Sequence, residues 1–241
     1  ALLKRPRTVT APRVQADARE LYVNDPQRAG YSIDAEGASW VRGAQATFNA
    51  TKSHGVPFFP DQTYVLLTNA SGSQLIQAGV LATQGGITPY MEWLDWDDSN
   101  PPLGGYISAD FSVRPGDQVN VEVWEDTRLG AHSWTVFIQD VNTKAYQYFA
   151  EGDTTDLTRA DWVLDTGIDG NPVAPRFPTL VGFSQAQWIS NWAGWVPISS
   201  SAGHTYTQIT NVSPSGGIIE TTELSNAGED FALVPCPGCH A

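Results

Sequence analysis

Residues 114–124 read RPGDQVNVEVW, a Pro-Gly turn followed at once by a run in which valine alternates with polar side chains. Because successive side chains of a β-strand point to opposite faces, this alternation predicts a strand with one buried and one polar face. The Pro-Gly-Asp sequence before it supplies the residues that a tight turn requires. The stretch therefore predicts antiparallel β-structure.

The same pattern recurs on both sides of this strand. Short runs rich in Val, Ile, Thr and aromatic residues are bounded by Gly, Pro or Asn, which is typical of strands joined by turns. About a dozen such runs at this spacing predict an all-β fold, a two-sheet antiparallel β-sandwich. The expected strands cover residues 39–48, 63–68, 74–81, 90–94, 106–111, 118–124, 133–140, 145–149, 161–165, 180–183, 186–190, 205–210 and 217–221.

The length of the chain favours one domain. Sandwiches of 241 residues commonly form a single unit, and the sequence shows no internal repeat and no low-complexity linker. Residues 1–30 differ from the rest, because they hold six of the 13 basic residues and little apolar periodicity. We expect residues 1–30 to form an extended N-terminal arm, with room for a short helix around 16–22, and residues 31–241 to form one β-sandwich domain.

The charge balance excludes some partners. The chain carries 26 acidic and 13 basic residues, a net charge of −13. Nucleic acid and anionic membrane surfaces are disfavoured, because their binding rests on Lys and Arg. No run of about 18 apolar residues predicts a membrane span. Asn-x-Ser/Thr sequons at Asn49, Asn69 and Asn211 are compatible with secretion. We expect a secreted, extracellular monomer.

The two cysteines lie close to the end of the sequence, at Cys236 and Cys239, followed by His240. A C-x-x-C pair can be a redox centre or half of a zinc site, and a zinc site needs four ligands. The other histidines have no ligand-like spacing. We therefore expect no metal and no cofactor, and interpret the pair as a small terminal disulfide or as free thiols.

Most conventional catalytic motifs are absent from the sequence. It contains no G-x-S-x-G, no H-E-x-x-H and no P-loop. Glu92, with an aspartate from the cluster at residues 95–98, offers the two carboxylates that glycoside hydrolysis needs. Glycan cleavage therefore stays open as a hypothesis.

Five segments resemble, in order and in approximate spacing, those of the glutamic peptidases, or eqolisins. The resemblance covers residues 38–210 and implies the sandwich fold of that family. The matching segments are residues 74–79 (QLIQAG), 90–93 (YMEW), 111–119 (FSVRPGDQV), 140–144 (DVNTK) and 160–165 (ADWVLD).

The resemblance implies an acid-acting endopeptidase with a polypeptide substrate. Gln77 would be the catalytic glutamine, and Asp165 stands where the family has its catalytic glutamate. In such a pair the carboxylate takes a proton from the attacking water and returns it to the leaving amine, while the amide stabilises the oxyanion. The resemblance also implies that Tyr64, Glu92 and Trp93 contribute to substrate binding.

Two departures from the family pattern keep an alternative open. Asp165 is one methylene shorter than a glutamate, and Tyr64 replaces a tryptophan of the family. A displacement of about 1 Å in a catalytic group can cost on the order of 100-fold in rate. The alternative is a non-catalytic relative that binds peptide or carbohydrate in the equivalent groove.

Overall fold

The computed structural model describes most of the chain from residue 19 onward, in ten segments. The first eighteen residues, including most of the expected arm, lie outside the described residues. The described segments are residues 19–25, 27–35, 40–52, 61–95, 103–151, 157–166, 180–190, 194–199, 204–212 and 218–236.

Strands account for nearly all regular structure in these segments, and the single helical element is a 3₁₀ turn at Asn226–Gly228. Within the same segments no helix is long and apolar enough to cross a membrane. The strands are β1 (Arg19–Asp25), β2 (Arg28–Ala35), β3 (Val41–Asn49), β4 (Asp61–Thr68), β5 (Gln74–Thr83), β6 (Gly86–Asp95), β7 (Leu103–Ser108), β8 (Gln118–Glu125), β9 (Trp134–Asp140), β10 (Tyr146–Glu151), β11 (Arg159–Asp165), β12 (Val181–Ser190), β13 (Trp195–Pro197), β14 (His204–Val212), β15 (Ile218–Thr221) and β16 (Phe231–Cys236).

The strands form a continuous hydrogen-bonded path that is folded into two layers. The first layer has the order β10-β9-β8-β3-β12, and the second has the order β14-β2-β11-β4-β5-β6-β7. β16 and β15 join β12 to β14 and so connect the layers. All pairings are antiparallel except that of β1, which runs parallel to β14. The predicted antiparallel sandwich is confirmed.

One apolar core lies between the layers. Val65, Leu67 and Ile76 of the second layer belong to the same buried cluster as Val121 and Val123 of the first. Alternate residues on each strand therefore face this core, and the residues between them face outward. Each layer thus has an outer face, and the outer faces carry the polar side chains that concern function.

The turns that join neighbouring strands were largely readable from the sequence. The expected hairpin over residues 141–144 is present: Asp140 Oδ1 accepts a hydrogen bond of 2.8 Å from the Asn142 amide, and Lys144 has a positive φ of 64°. The two strands expected at 180–183 and 186–190 are one strand, β12. A bulge with Gln185 at φ 54° bends it between them.

Residues 19–22 belong to β1, so the short helix suggested around 16–22 is wrong there, and this part of the expected arm is a sheet strand. Cys236 ends β16, whereas Cys239 and His240 lie outside the described residues.

Asn211 is 0% exposed, so its sequon cannot carry a glycan in the folded protein.

Candidate active site

The candidate site lies on the outer face of the second layer, where cross-strand register aligns polar side chains. One row runs from Asp161 on β11 through Leu66 on β4 to Gln77 on β5, and continues to Glu92 on β6 and Tyr106 on β7. Because directly opposed residues point to the same face, all five side chains lie on one surface.

Gln77 and Glu92 form the closest pair in this row. Gln77 Nε2 donates a hydrogen bond of 2.5 Å to Glu92 Oε2. The Gln77 residue is 8% exposed, whereas Tyr106, on the other side of Glu92, is 51% exposed. The pair is therefore packed on one side and accessible on the other. A carboxamide bonded to a carboxylate at an accessible position can hold and polarise a water molecule.

Two buried phenols lie in the next row of the same face. Tyr64 on β4 and Tyr90 on β6 stand on either side of Gly79, which has no side chain to separate them. The Tyr90 hydroxyl donates a hydrogen bond of 2.8 Å to Gln62 Oε1, two residues along β4 from Tyr64. The Tyr90 ring also stacks on Tyr106, with the ring centres 5.5 Å apart. Tyr90 thus links the open side of the site to its buried side.

The environment of both phenols keeps them protonated. Burial first, and the nearby carboxylates of Asp165 and Asp161 second, raise the pKa of Tyr64 well above its ordinary value. Burial is also the largest cause for Tyr90, whose pKa is raised further by Tyr64 and Glu92. Both hydroxyls therefore stay protonated, and remain hydrogen-bond donors, above the pH at which an exposed phenol ionises.

Asp161, at the β11 end of the row, is held by two arginines. Its Oδ1 accepts a hydrogen bond of 2.8 Å from Arg159 Nε, and its Oδ2 lies 3.8 Å from Arg28 Nη1. Burial by itself lowers the pKa of Arg28, but Asp161 and Asp25 outweigh it and raise that pKa. Because Asp161 is 1% exposed and doubly paired, it is a structural ion-pair partner rather than a group open to substrate.

The register does not bring Gln77 and Asp165 together. Gln77 is opposite Leu66, whereas Asp165 is opposite Gln62, four residues away along β4. β4 also lies between the strands that carry the two residues. At ordinary strand spacing and rise, the Cα atoms are about 16 Å apart. A hydrogen bond through one shared water spans far less than this distance.

Trp93 lies on the other face of β6. Its ring stacks on Phe149 of the first layer, with ring centres 4.3 Å apart, and packs against the core. Trp93 therefore does not share the face that carries Gln77 and Glu92, because its position next to Glu92 in sequence turns it inward. Tyr64 lies on the same face as Gln77 and Glu92.

The same alternation bears on the glycan-cleavage hypothesis. Asp95 is three residues from Glu92 on one strand, so the two side chains point to opposite faces. Asp95 instead accepts a hydrogen bond of 3.1 Å from Gln74 Nε2. These two carboxylates therefore do not face one cleft, and residues 96–98 lie outside the described residues.

Three residues of the site were missed at the sequence level: Gln62, Tyr90 and Tyr106. Each lies inside or beside an expected strand, and period-2 alternation from Glu92 would have put Tyr90 on the same face. Tyr106 and Gln62 depend on cross-strand register, which the sequence does not specify without the turns. In the described part of the chain, no group of His, Cys, Asp and Glu could hold a metal ion.

Comparison with known proteins shows the fold. No protein-family model matches the chain, and no curated protein matches it in sequence. Among solved structures, scytalido-glutamic peptidase with a transition state analog inhibitor superposes with a TM-score of 0.63 at 13% identity, covering 87% of this chain and 98% of that one. SCP-B, a member of the eqolisin family, in complex with the tripeptide Ala-Ile-His, has a TM-score of 0.59 at 12% identity, covering 88% and 99%. Aspergilloglutamic peptidase from Aspergillus niger has a TM-score of 0.52 at 17% identity, covering 74% and 99%. The chain therefore has the fold of the glutamic peptidases.

Proposed function

We propose that this chain is an acid-acting endopeptidase of the glutamic type, in which Gln77 and Glu92 together activate the attacking water. The observation that carries the proposal is the 2.5 Å hydrogen bond between Gln77 Nε2 and Glu92 Oε2. Support comes from the shared fold, because glutamic peptidases with this fold bind a transition state analog inhibitor and a tripeptide.

The pair can perform both proton transfers of peptide hydrolysis. Glu92 accepts a proton from the water as the water oxygen attacks the peptide carbonyl carbon, and the C–N bond then breaks as Glu92 returns the proton to the amine. The nitrogen of a side-chain amide carries two hydrogens. Gln77 can therefore donate one hydrogen bond to Glu92 and another to the developing oxyanion. One carboxyl group and one amide thus suffice for the reaction.

The surroundings of the pair fit a polypeptide substrate. The stacked Tyr90 and Tyr106 rings provide an apolar wall beside Glu92, and Tyr106 is open to solvent. Tyr64 and Leu66 form an apolar strip with Val163 and Ile209 on the same outer face, and the strip is buried except for Leu75, which is partly exposed. Apolar strips beside a few fixed polar groups are the usual lining of ligand sites.

Asp165 has a different role in this proposal. Its cross-strand neighbours are Gln62 and Arg28, and its charge acts on Tyr64 and Tyr90. We assign it to the electrostatic environment of the phenols and not to proton transfer.

We also propose that the protein is secreted, since the sequons at Asn49 and Asn69 lie at partly exposed positions.

The register favours a second candidate function, a non-catalytic relative that binds peptide on this face. The carboxylate that the family resemblance assigns to catalysis is about 16 Å from Gln77 between Cα atoms, so that pair cannot act on one water. Such a relative would keep the aromatic wall and the apolar strip, and would lack hydrolysis.

Incubation with an unfolded protein at about pH 3 to 5, in the presence of pepstatin, tests the proposal. We expect discrete fragments, and Gln77→Ala should reduce their rate of formation by about 100- to 1000-fold, the usual loss for one oxyanion donor. The matched control is Gln84→Ala, in the exposed turn of the same β5–β6 hairpin, which should cleave as the natural protein does. Saturable binding of the unfolded protein without fragments would favour the non-catalytic relative.

A further inference from the structure

A second polar groove lies on the outer face of the first layer, on the side of the molecule away from Gln77. It encloses a cavity of about 650 Å³ above β3, β8, β9 and β12. Ligand pockets of proteins have about 300–1,000 Å³. We call it the amide groove and define it by six lining residues: Gln45, Asn120, Glu122, Gln139, Gln187 and Glu229.

Hydrogen bonds between side chains fix the shape of the amide groove. Gln45 Nε2 donates to Gln187 Oε1 at 2.7 Å, and Gln187 Nε2 donates to Glu229 Oε1 at 2.6 Å. On the neighbouring strand, Asn120 Nδ2 donates to Glu122 Oε1 at 2.8 Å. These residues come from three strands and one loop, so the network is built by the fold and not by one local turn.

The network leaves the amides with further hydrogen-bonding capacity. A carboxamide has two N–H donors and a carbonyl with two lone pairs, and the bonds above use one of each on Gln187. The groove therefore presents both donors and acceptors. Hydroxyl groups, which both donate and accept, are the ligand groups that complement such a surface.

Exposed aromatic rings continue the groove toward the sheet edge. Tyr146 is opposite Gln139 and Tyr148 is opposite Phe137, so both rings lie on the face of the groove. Their exposures are 55% and 57%, high for large side chains. Such rings offer a flat apolar surface with a polar tip. Trp195 lies at the other end of the groove.

The charges and the position of the amide groove exclude other ligand classes. Among the described residues that line the cavity, Lys144 is the one cation, against Glu122 and Glu229, and the chain carries a net charge of −13, so anions are disfavoured. A peptide cannot add as a strand on the groove floor, because β3, β8 and β9 are hydrogen-bonded on both sides.

We propose that the amide groove binds a neutral oligosaccharide. The amides and carboxylates bond its hydroxyl groups, and the apolar faces of its sugar rings pack on Tyr146 and Tyr148. This site belongs to the opposite layer from Gln77 and Glu92, so the proposal stands or falls independently of peptide cleavage.

Isothermal titration calorimetry with cellohexaose, mannohexaose and the neutral, fully N-acetylated chitohexaose tests this proposal. We expect at least one of them to bind, and Gln187→Ala and Tyr148→Ala each to weaken that binding by about 3- to 10-fold, as expected for one lost hydrogen bond or one lost ring contact. Gln84→Ala should bind as the natural protein does, and melting curves should show that all variants fold.

Three results would overturn the proposal. The first is that none of the three probes gives a heat of binding at millimolar concentration. Binding that neither Gln187→Ala nor Tyr148→Ala weakens is the second, because the saccharide would then lie elsewhere. The third is an oligolysine peptide that binds more tightly than every saccharide and is weakened by Glu229→Gln, which would identify an acidic peptide-binding face instead.

Discussion

At the scale of single residues, Gly79 determines how the buried phenols pack. A Cβ atom at position 79 would lie 2.1 Å from the Thr63 carbonyl oxygen and 2.6 Å from the Tyr64 Cβ atom. Any other residue there would therefore push β5 away from β4. Without that side chain, Tyr64 and Tyr90 occupy one buried space beside Asp165 and Glu92, and their hydroxyl groups are removed from water.

Because they are buried, Tyr64 and Tyr90 should ionise at a higher pH than exposed tyrosines do. Both have a pKa raised in the folded state by burial, so above the unfolded value of about 10 the folded protein holds more protons than the unfolded one. The free energy of unfolding should therefore fall as the pH rises above about 10. Phenolate absorbance should show these tyrosines ionising only as the protein unfolds.

Single substitutions show which tyrosines give the phenolate absorbance that appears on unfolding. Tyr64→Phe and Tyr90→Phe should each remove part of this absorbance change and make the free energy of unfolding less dependent on pH. Tyr22 is 68% exposed, so Tyr22→Phe should remove only phenolate absorbance that appears before the protein unfolds. Normal titration of all tyrosines in the folded protein would contradict the buried arrangement.

At the scale of elements, the strands with clear alternation were predicted, whereas β2 and β16 were not. The run at 118–124 alternates strictly and is β8. β2 was missed because five of its consecutive residues are buried, so it has no polar face to give an alternating pattern. β16 was missed because it follows a loop and contains Pro235, which is atypical of a strand.

Phe231 on β16 is expected to have a large effect on stability. Phe231 stacks on Phe183 of β12, with ring centres 4.6 Å apart, and meets Tyr31 of β2 edge-on at 4.9 Å. One buried ring thus contacts strands of both layers. Phe231→Ala should lower the free energy of unfolding by about 3–5 kcal/mol in urea denaturation.

The control for this substitution is Leu180→Ala. Leu180 is 50% exposed, so its loss should change the free energy of unfolding by less than about 0.5 kcal/mol. An equal effect of the two substitutions would show that β16 does not hold the layers together.

At the scale of the whole molecule, two outer faces flank one core, and each carries a candidate site. The sequence predicted the sandwich, and it identified Gln77 and Glu92 as residues of interest. Its resemblance to the glutamic peptidases paired Gln77 with Asp165 and not with Glu92, since the carboxylate that Gln77 meets depends on the register of β11, β4, β5 and β6. A strand can keep its hydrophobic pattern when its pairing shifts by two residues, so the pattern does not fix that register.

In the proposed mechanism Glu92, and not Asp165, supplies the carboxylate for peptide hydrolysis. Glu92→Gln and Asp165→Asn are a matched pair, since each replaces one carboxylate on the same face by an amide of equal size. We predict that Glu92→Gln reduces the rate of cleavage of an unfolded protein at acidic pH by about 100-fold or more, because an amide cannot take the proton of the water. Asp165→Asn should retain most of the rate. Loss of cleavage in Asp165→Asn with full cleavage in Glu92→Gln would contradict the account and return the catalytic role to Asp165.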